Sequence, residues 1–284
     1  MARSAVSEDG MRKSEDFRNL HNGPGAFVMP NPSDIGMARL LVSMGFKALA
    51  TSSAGYAFSR ALPDGGVTFE EMIRHCKEMA AAVDVPVSAD LERGKGDSAE
   101  SAAETIFAAE AAGLAGCSIE DYSGDPSKPI YEFSHAVERV AAAAEAARAV
   151  DGGFVFTARA ENFLHGVSDF DDTVRRLQAF SAAGADVLFA PGISDPAMLT
   201  TLCTALDKPV SVIAPRDVSV DQLSAIGIRR ISLGPRLTQA AFGAVERAAR
   251  EILDKGTFGF MGDVMPFDRL QTLYTPAASA RLEK

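Results

Sequence analysis

The sequence predicts an α/β protein folded as one (β/α)8 TIM barrel, and three observations lead there. Short runs rich in Val, Ile, Phe and Ala alternate with longer amphipathic stretches, the pattern of βα units around a parallel sheet. Eight such units fit the 284 residues, close to the ~250 a barrel of this kind needs. No linker and no even split into halves marks the chain, which argues against a doubly wound sheet and for a single domain over residues 1–284.

Taken in order, strands are expected at residues 27–30, 48–52, 85–91, 116–120, 154–160, 186–190, 209–213 and 230–233. Helices are expected at 34–44, 69–82, 99–112, 133–149, 169–182, 195–205, 220–225 and 236–253. Ser98, Ser168 and Ser219 stand where an N-cap hydroxyl satisfies the first free amides of a helix. Gly45, Gly113, Gly184 and Gly227 stand just past helix ends, where a left-handed residue closes the last turn. Residues 1–20 read as a lead-in helix, and 256–284 as a mixed tail carrying Phe258, Phe260, Met261 and Phe267. Such an apolar tail needs cover, either from a neighbouring subunit or from its own barrel.

Composition excludes several classes. With 47% hydrophobic residues, 23% charged and a formal net charge of -10, the chain reads as soluble and globular. The acidic balance argues against a nucleic-acid partner, whose phosphates call for a basic face. No apolar run reaches the ~20 residues of a membrane span, and the N-terminus lacks a signal-peptide core. Three separated cysteines (Cys76, Cys117, Cys203) make neither a disulfide framework nor a zinc site, so the expected compartment is the cytoplasm. Cys117 is expected to pack as a small apolar residue, and Cys76 and Cys203 as inert helix thiols. His21, His75 and His135 read as surface or helix residues.

A barrel of this kind carries its active site at the C-terminal ends of its strands. Strand two ends in Thr51-Ser52-Ser53-Ala54-Gly55-Tyr56, and strand three in Ala89-Asp90-Leu91-Glu92-Arg93. Strand four ends in Ser118-Ile119-Glu120-Asp121-Tyr122, and strand five in Thr157-Ala158-Arg159-Ala160-Glu161-Asn162. Asp90 and Glu92 are two apart, so on a continuing strand both would project to one side, as would Arg159 and Glu161. Carboxylates converging on one mouth repel one another without a cation, and hard oxygen donors without His or Cys point to Mg²⁺, or Mn²⁺. Arg159 suits a substrate carboxylate through its forked donors. Asp121 reads as a solvated loop residue or helix cap. Asp64, in Pro63-Asp64-Gly65-Gly66, reads most simply as a turn, or else as an acid turned toward metal-bound water.

Six fragments in this order, GAFVMPNPSD, ALATSSAGYAFSRALPDGG, PVSADLERGKGD, GCSIEDYSGDP, FTARAENFLHG and DVLFAPG, resemble the isocitrate lyase/phosphoenolpyruvate mutase superfamily. The resemblance implies a TIM barrel whose last helix is exchanged between subunits, usually in a tetramer. It implies Mg²⁺ bound with a small α-keto acid or carboxylate, and a bond made or broken beside the carbonyl through an enolate. Carried over, Asp90 is the direct metal ligand, and Glu92, Glu120 and Asp64 hold metal-bound waters. The family often has Asp where Glu92 stands. Ser52, Ser53 and Gly55 match the segment that cradles the substrate carboxylate, and Arg159, with Glu161 beside it, matches the substrate-binding arginine.

The chain departs from the family at the lid. Isocitrate and methylisocitrate lyases carry a Lys-(Lys/Arg)-Cys-Gly-His loop after strand four, whereas residues 122–131 here read YSGDPSKPIY, without a cysteine and without the phosphonomutase Asn. Lys128, Tyr131 and His165 are the candidates by position to supply a proton, with solvent as another source. Three activities follow as expectations. The first is a Mg²⁺-dependent lyase acting on a small 2-keto or 2-hydroxy di- or tricarboxylate, in the manner of methylisocitrate lyase or oxaloacetate decarboxylase. The second is P–C chemistry as phosphonopyruvate hydrolase or phosphonomutase, and the third is α-keto acid binding without catalysis.

Overall fold

The computed structural model describes residues 8–150 and 152–275. Its eight strands are β1 (Phe27–Met29), β2 (Leu49–Ala50), β3 (Val87–Asp90), β4 (Gly116–Glu120), β5 (Val155–Arg159), β6 (Val187–Phe189), β7 (Val210–Ile213) and β8 (Ile228–Ser232). All neighbours pair in parallel, in the order β1-β8-β7-β6-β5-β4-β3-β2. The seam between β1 and β2 is stitched by the Ala50 amide on the Pro30 carbonyl (3.0 Å) and by Asn31 Nδ2 on the Thr51 carbonyl (2.8 Å). The result is the expected (β/α)8 TIM barrel.

The outer helices are α2 (Ile35–Ser43), α4 (Phe69–Ala81), α5 (Ala99–Ala111), α6 (Phe133–Ala149), α7 (Phe170–Ala183), α8 (Pro196–Ala205), α9 (Val220–Ile226) and α10 (Arg236–Lys255). Ser98 and Ser219 cap α5 and α9 as expected. For α7 the cap is Asp169, whose carboxylate takes the Asp172 amide, and not Ser168 one residue earlier. Gly184 and Gly227 close α7 and α9 in the left-handed conformation, each with φ of 110°. Strand β8 begins at Ile228, two residues before the expected start. A short helix, α3 (Ser53–Ser59), stands where the sequence reads as a loop. Between strands and helices lies a core of residues such as Leu49, Met79, Ile106, Phe156 and Leu188, in which Cys76 and Cys117 are fully buried.

The lead-in segment forms α1 (Glu8–Asn22), which plugs the N-terminal end of the barrel. Phe17 is fully buried there against Ala48, Ala50, Ala115, Val155 and Val187, and meets Phe27 edge-on at 6.4 Å. The small alanines leave room for its ring, and Gly116 must be glycine because a Cβ would collide with the Phe17 ring and the Val155 carbonyl. His21 on the same helix is buried, and burial pushes its pKa down to about 3, so it is neutral. His75 and His135 lie on α4 and α6.

At the other end of the chain the long helix α10 leaves most of its surface uncovered. Thr238 is its one buried residue, while Phe242, Val245 and Leu253 are exposed, and it packs chiefly on α3 and a 3-10 turn at Gly259–Asp263. Beyond it, α11 (Phe267–Tyr274) folds back onto α2, with the Tyr274 hydroxyl donating to the Gly36 carbonyl at 3.0 Å. Phe258, Met261, Val264 and Phe267 nevertheless stay exposed. The rest of the tail and residues 1–7 lie outside the described residues. No helix among the described residues is long and apolar enough to cross a membrane.

Because the α1 plug is a single aromatic ring in a fully buried site, Phe17→Ala is expected to lower unfolding stability by about 3–5 kcal/mol. Chemical denaturation checks this, and a loss below about 1 kcal/mol would show that the plug is dispensable.

Candidate active site

The C-terminal mouth opens into a cavity of about 800 Å³ whose lining includes Ser53, Asp64, Glu92, Glu120, Arg159, Glu161 and His165. Its centre is Arg159, the last residue of β5, with a side chain 11% exposed. Its Nη1 donates to Asp90 Oδ1 at 2.5 Å, and its Nη2 lies 3.1 Å from Glu120 Oε2. Both Nε and Nη2 reach Glu161 Oε1 at 2.8 Å. Strand register makes this possible, since β4 pairs Glu120 with Arg159 and β3 ends at Asp90 beside Ser118. The other oxygen of Asp90 accepts the Ser53 amide (3.1 Å) and hydroxyl (3.0 Å). Ser52 caps α3 by accepting the Gly55 amide at 3.1 Å, which holds the N-terminus of that helix toward Asp90. Gly55 itself sits where a Cβ would stand 3.0 Å from Thr238 Oγ1 of α10.

The acids outnumber their cation. Asp64, Asp90, Glu92, Glu120 and Glu161 gather around Arg159, and the low-dielectric mouth resists their charge. Burial raises Glu120 well above the usual carboxylate range, with Glu161 and Asp90 adding to it against the pull of Arg159. Burial, then Asp90 and Asp64, push Glu92 up to about 7. Burial and Asp90 also raise Asp64. Burial works against the Arg159 charge, but Glu161, Glu120 and Asp90 outweigh it and hold the guanidinium well above its ordinary pKa.

Several residues arrive at the mouth by routes the sequence does not show. Strand β3 stops at Asp90, and Glu92 reaches the cavity through a left-handed turn at φ 50°, not by strand alternation. Such a backbone costs a non-glycine residue about 1–3 kcal/mol and is found preferentially at functional sites. Asp64 forms the turn, its Oδ1 accepting the Gly65 amide at 3.1 Å, and the same oxygen also takes the Ser53 hydroxyl at 3.4 Å, which sets it on the cavity wall. Asp121 is neither solvated nor a cap. It is buried, takes Arg176 Nη1 at 3.1 Å and the Glu161 amide at 2.8 Å, and so fixes the backbone that carries Glu161. Sequence reading missed the Asp121–Arg176 pair because its members lie 55 residues apart.

The three proton-donor candidates are not brought together. Lys128 lies exposed on a loop that folds on itself, with the Ser123 hydroxyl donating to the Lys128 carbonyl at 2.7 Å. The Tyr131 hydroxyl donates to Asp97 at 2.6 Å, away from Arg159. His165 lines the mouth, stacked on Tyr122 with ring centroids 3.7 Å apart and its Nε2 3.6 Å from Glu161 Oε2. Tyr122, at the end of strand four, lines the mouth as well.

The donor set suits a hard divalent cation. All the acids are oxygen donors, and for Asp64, Glu92 and Glu120 burial, with repulsion from neighbouring carboxylates added to it, disfavours the charged form, a cost that a cation would relieve. Among the described residues no three His, Cys, Asp or Glu side chains stand together so as to hold a metal ion among them, Arg159 taking the carboxylate oxygens instead. Mg²⁺ does not require one, since it keeps several waters and takes one or two carboxylates directly.

The phosphoenolpyruvate phosphomutase family profile matches residues 17–253. A Corynebacterium glutamicum protein named "Probable 2-methylisocitrate lyase 2" is 31% identical over 265 residues, covering 89% of this chain and 84% of its own. A crystal structure from Burkholderia cenocepacia J2315, described in general terms as a lyase/mutase, is 47% identical with a TM-score of 0.93, over 95% of this chain and 98% of that one. Phosphonopyruvate hydrolase, crystallised with oxalate and Mg²⁺, is 22% identical over 95% of this chain and 94% of that one, with a TM-score of 0.80 that shows a shared fold. On the family match and these likenesses together, the chain belongs to the phosphoenolpyruvate phosphomutase family, within the isocitrate lyase/PEP mutase superfamily of lyases and mutases.

Proposed function

We propose that this protein is a Mg²⁺-dependent lyase that cleaves or forms the bond beside the carbonyl of a small α-keto or 2-hydroxy di- or tricarboxylate. The observation that carries this reading is the ring of five carboxylates around one arginine at the barrel mouth. The naming of the C. glutamicum relative for 2-methylisocitrate lyase supports a C–C bond as the one at stake. Asp90 would hold the metal directly, and Asp64, Glu92 and Glu120 its waters. When bound, Mg²⁺ supplies Lewis-acid stabilisation of the negative charge left on the keto oxygen.

The chain's own residues do the rest. Arg159 presents its donors to a substrate carboxylate and balances the acids around it. Glu161, fixed through its backbone by Asp121, orients Arg159. The Ser53 amide and hydroxyl, with Ser52 and Gly55 behind them, form the cradle at the N-terminus of α3. His165 is the best placed of the three proton-donor candidates, since it lines the cavity while Lys128 and the Tyr131 hydroxyl do not. The exposed apolar side of α10 and the tail support assembly with further copies of the chain, the last helix being exchanged between them.

The deciding test is pyruvate release with Mg²⁺ and then with chelator, from oxaloacetate, 2-methylisocitrate, dimethylmalate and phosphonopyruvate. Chelator-sensitive release from a C–C substrate is expected. Release from phosphonopyruvate alone would move the assignment to P–C chemistry, and silence with pyruvate binding intact would leave a binding protein. Asp90→Ala is expected to abolish Mg²⁺-dependent pyruvate binding, whereas His165→Ala should lower turnover and spare binding, and Lys128→Ala should leave both near the wild type. Unchanged Mg²⁺ affinity in Asp90→Ala would remove the metal assignment.

The acids also make stability depend on pH. Glu92 titrates near 7 in the folded chain against an ordinary 4.5, so folding favours its protonated form. Its contribution is complete below the ordinary value and is lost as the pH rises through about 7. In chelator, Glu92→Gln should therefore gain Tm on the wild type between about pH 5 and 7.5, and saturating Mg²⁺ should close the gap. A Tm difference that does not change with pH would contradict the buried, charge-crowded placement of Glu92.

A further inference from the structure

Strand β8 carries two consecutive arginines that point to opposite sides. Arg229 faces outward, its Nη1 shared at 3.3 Å between the carbonyls of Gly23 and Gly25. Arg230 faces into the barrel and is 3% exposed. Its Nε donates to Ser211 Oγ at 2.9 Å and its Nη1 to Thr157 Oγ1 at 3.0 Å. Its Nη2 has no hydrogen-bond partner among the described residues, and no carboxylate pairs with the guanidinium. Burial, then the charge of Arg159, press its pKa down to about 9, which leaves it charged at neutral pH. A buried cation without a counter-ion is among the costlier things a fold can hold.

The surroundings of Arg230 are those of a binding pocket. A cavity of about 240 Å³ lies beside it, lined by Ser88, Ser118 and Ser211 among others. It meets the mouth at Ser53, Asp64, Arg159 and Leu164, which line both spaces. Ser88 and Ser118 are buried residues on this cavity whose hydroxyls donate to no described residue. Of the two cations on this cavity, Arg159 is matched by three carboxylates and Arg230 by none. Loose hydroxyl donors, an unused guanidinium edge and one uncompensated positive charge together describe a receptor for a small monoanion.

We propose that Arg230, with the hydroxyls of Ser88, Ser118 and Ser211, forms an anion subsite inside the barrel below the mouth, and that it takes a carboxylate. The carboxylate is either the second one of a dicarboxylate bound at the mouth, which rests on the function proposed above, or a free one. A single charge is called for because the acids at the mouth repel a dianion.

Two arms test this on the full chain, using Arg230→Met, which fills similar volume without charge, and Arg230→Lys, which keeps the charge. In the first, thermal unfolding is followed while formate is titrated without Mg²⁺. The wild type should gain Tm and reach a plateau, Arg230→Lys should keep part of the gain, and Arg230→Met should lose it. A wild type without a saturable gain, or an Arg230→Met protein with the same gain, overturns the subsite. In the second arm pyruvate and L-malate are titrated by calorimetry in Mg²⁺. Loss of about tenfold in malate affinity in Arg230→Met, with pyruvate within about twofold, assigns the subsite to the ligand's own second carboxylate. Unchanged affinity for both, with the formate plateau intact in the wild type, assigns it to a free carboxylate. If neither ligand binds the wild type, the α-keto acid reading falls, while the formate arm still decides the subsite.

Discussion

Everything at the mouth of this barrel depends on the charge of Arg159. Three strand ends deliver acids to one low-dielectric space, where like charges a few ångströms apart repel strongly. The guanidinium lets them coexist by giving a different edge to each of Asp90, Glu120 and Glu161. The geometry follows from the register of β3, β4 and β5, so the barrel serves as a jig for a charge arrangement that no single loop could hold. Even so the balance is incomplete, and burial together with the remaining repulsion keeps Asp64, Glu92 and Glu120 raised.

The two ends of the barrel solve different problems. At the N-terminal end α1 seals the interior with one aromatic ring, and alanines on the strands accept it. Midway up, small hydroxyl residues replace the alanines, and the interior turns from packed to receptive around Arg230. At the C-terminal end the interior becomes acidic. The polarity gradient along the axis is written by alternate residues of short strands. The outer layer is uneven as well: α10, the longest of the outer helices, sits on α3 with an apolar side in the open, where α4, α5, α6 and α7 bury several side chains each against the barrel wall.

Much of this was legible in the sequence. Strands buried on both faces read as plain apolar runs, and capping serines and closing glycines mark helix ends within a residue or two. Polar residues at four strand ends stand out because the barrel makes strand ends the place for chemistry. What escaped has physical causes. Helix α3 is seven residues of small and aromatic side chains, with too few turns for a periodic signal. Glu92 depends on a single backbone dihedral, which no side-chain pattern encodes. Asp121 looked like a loop acid because its partner Arg176 arrives from a helix far along the chain. Arg230 was read as the start of a strand, and only the true start at Ile228 shows which of the paired arginines turns inward.

Asp90 is claimed from two sides, by Arg159 on one oxygen and by Ser53 on the other. Under the proposed function a divalent cation competes for those same oxygens. Its arrival would release a guanidinium edge and a helix N-terminus together, and both are groups that hold a carboxylate. Cation and substrate are then coupled thermodynamically, each strengthening the other by the same factor. The protein would thus link cation and substrate binding with no moving domain, through the reassignment of two hydrogen-bond donors.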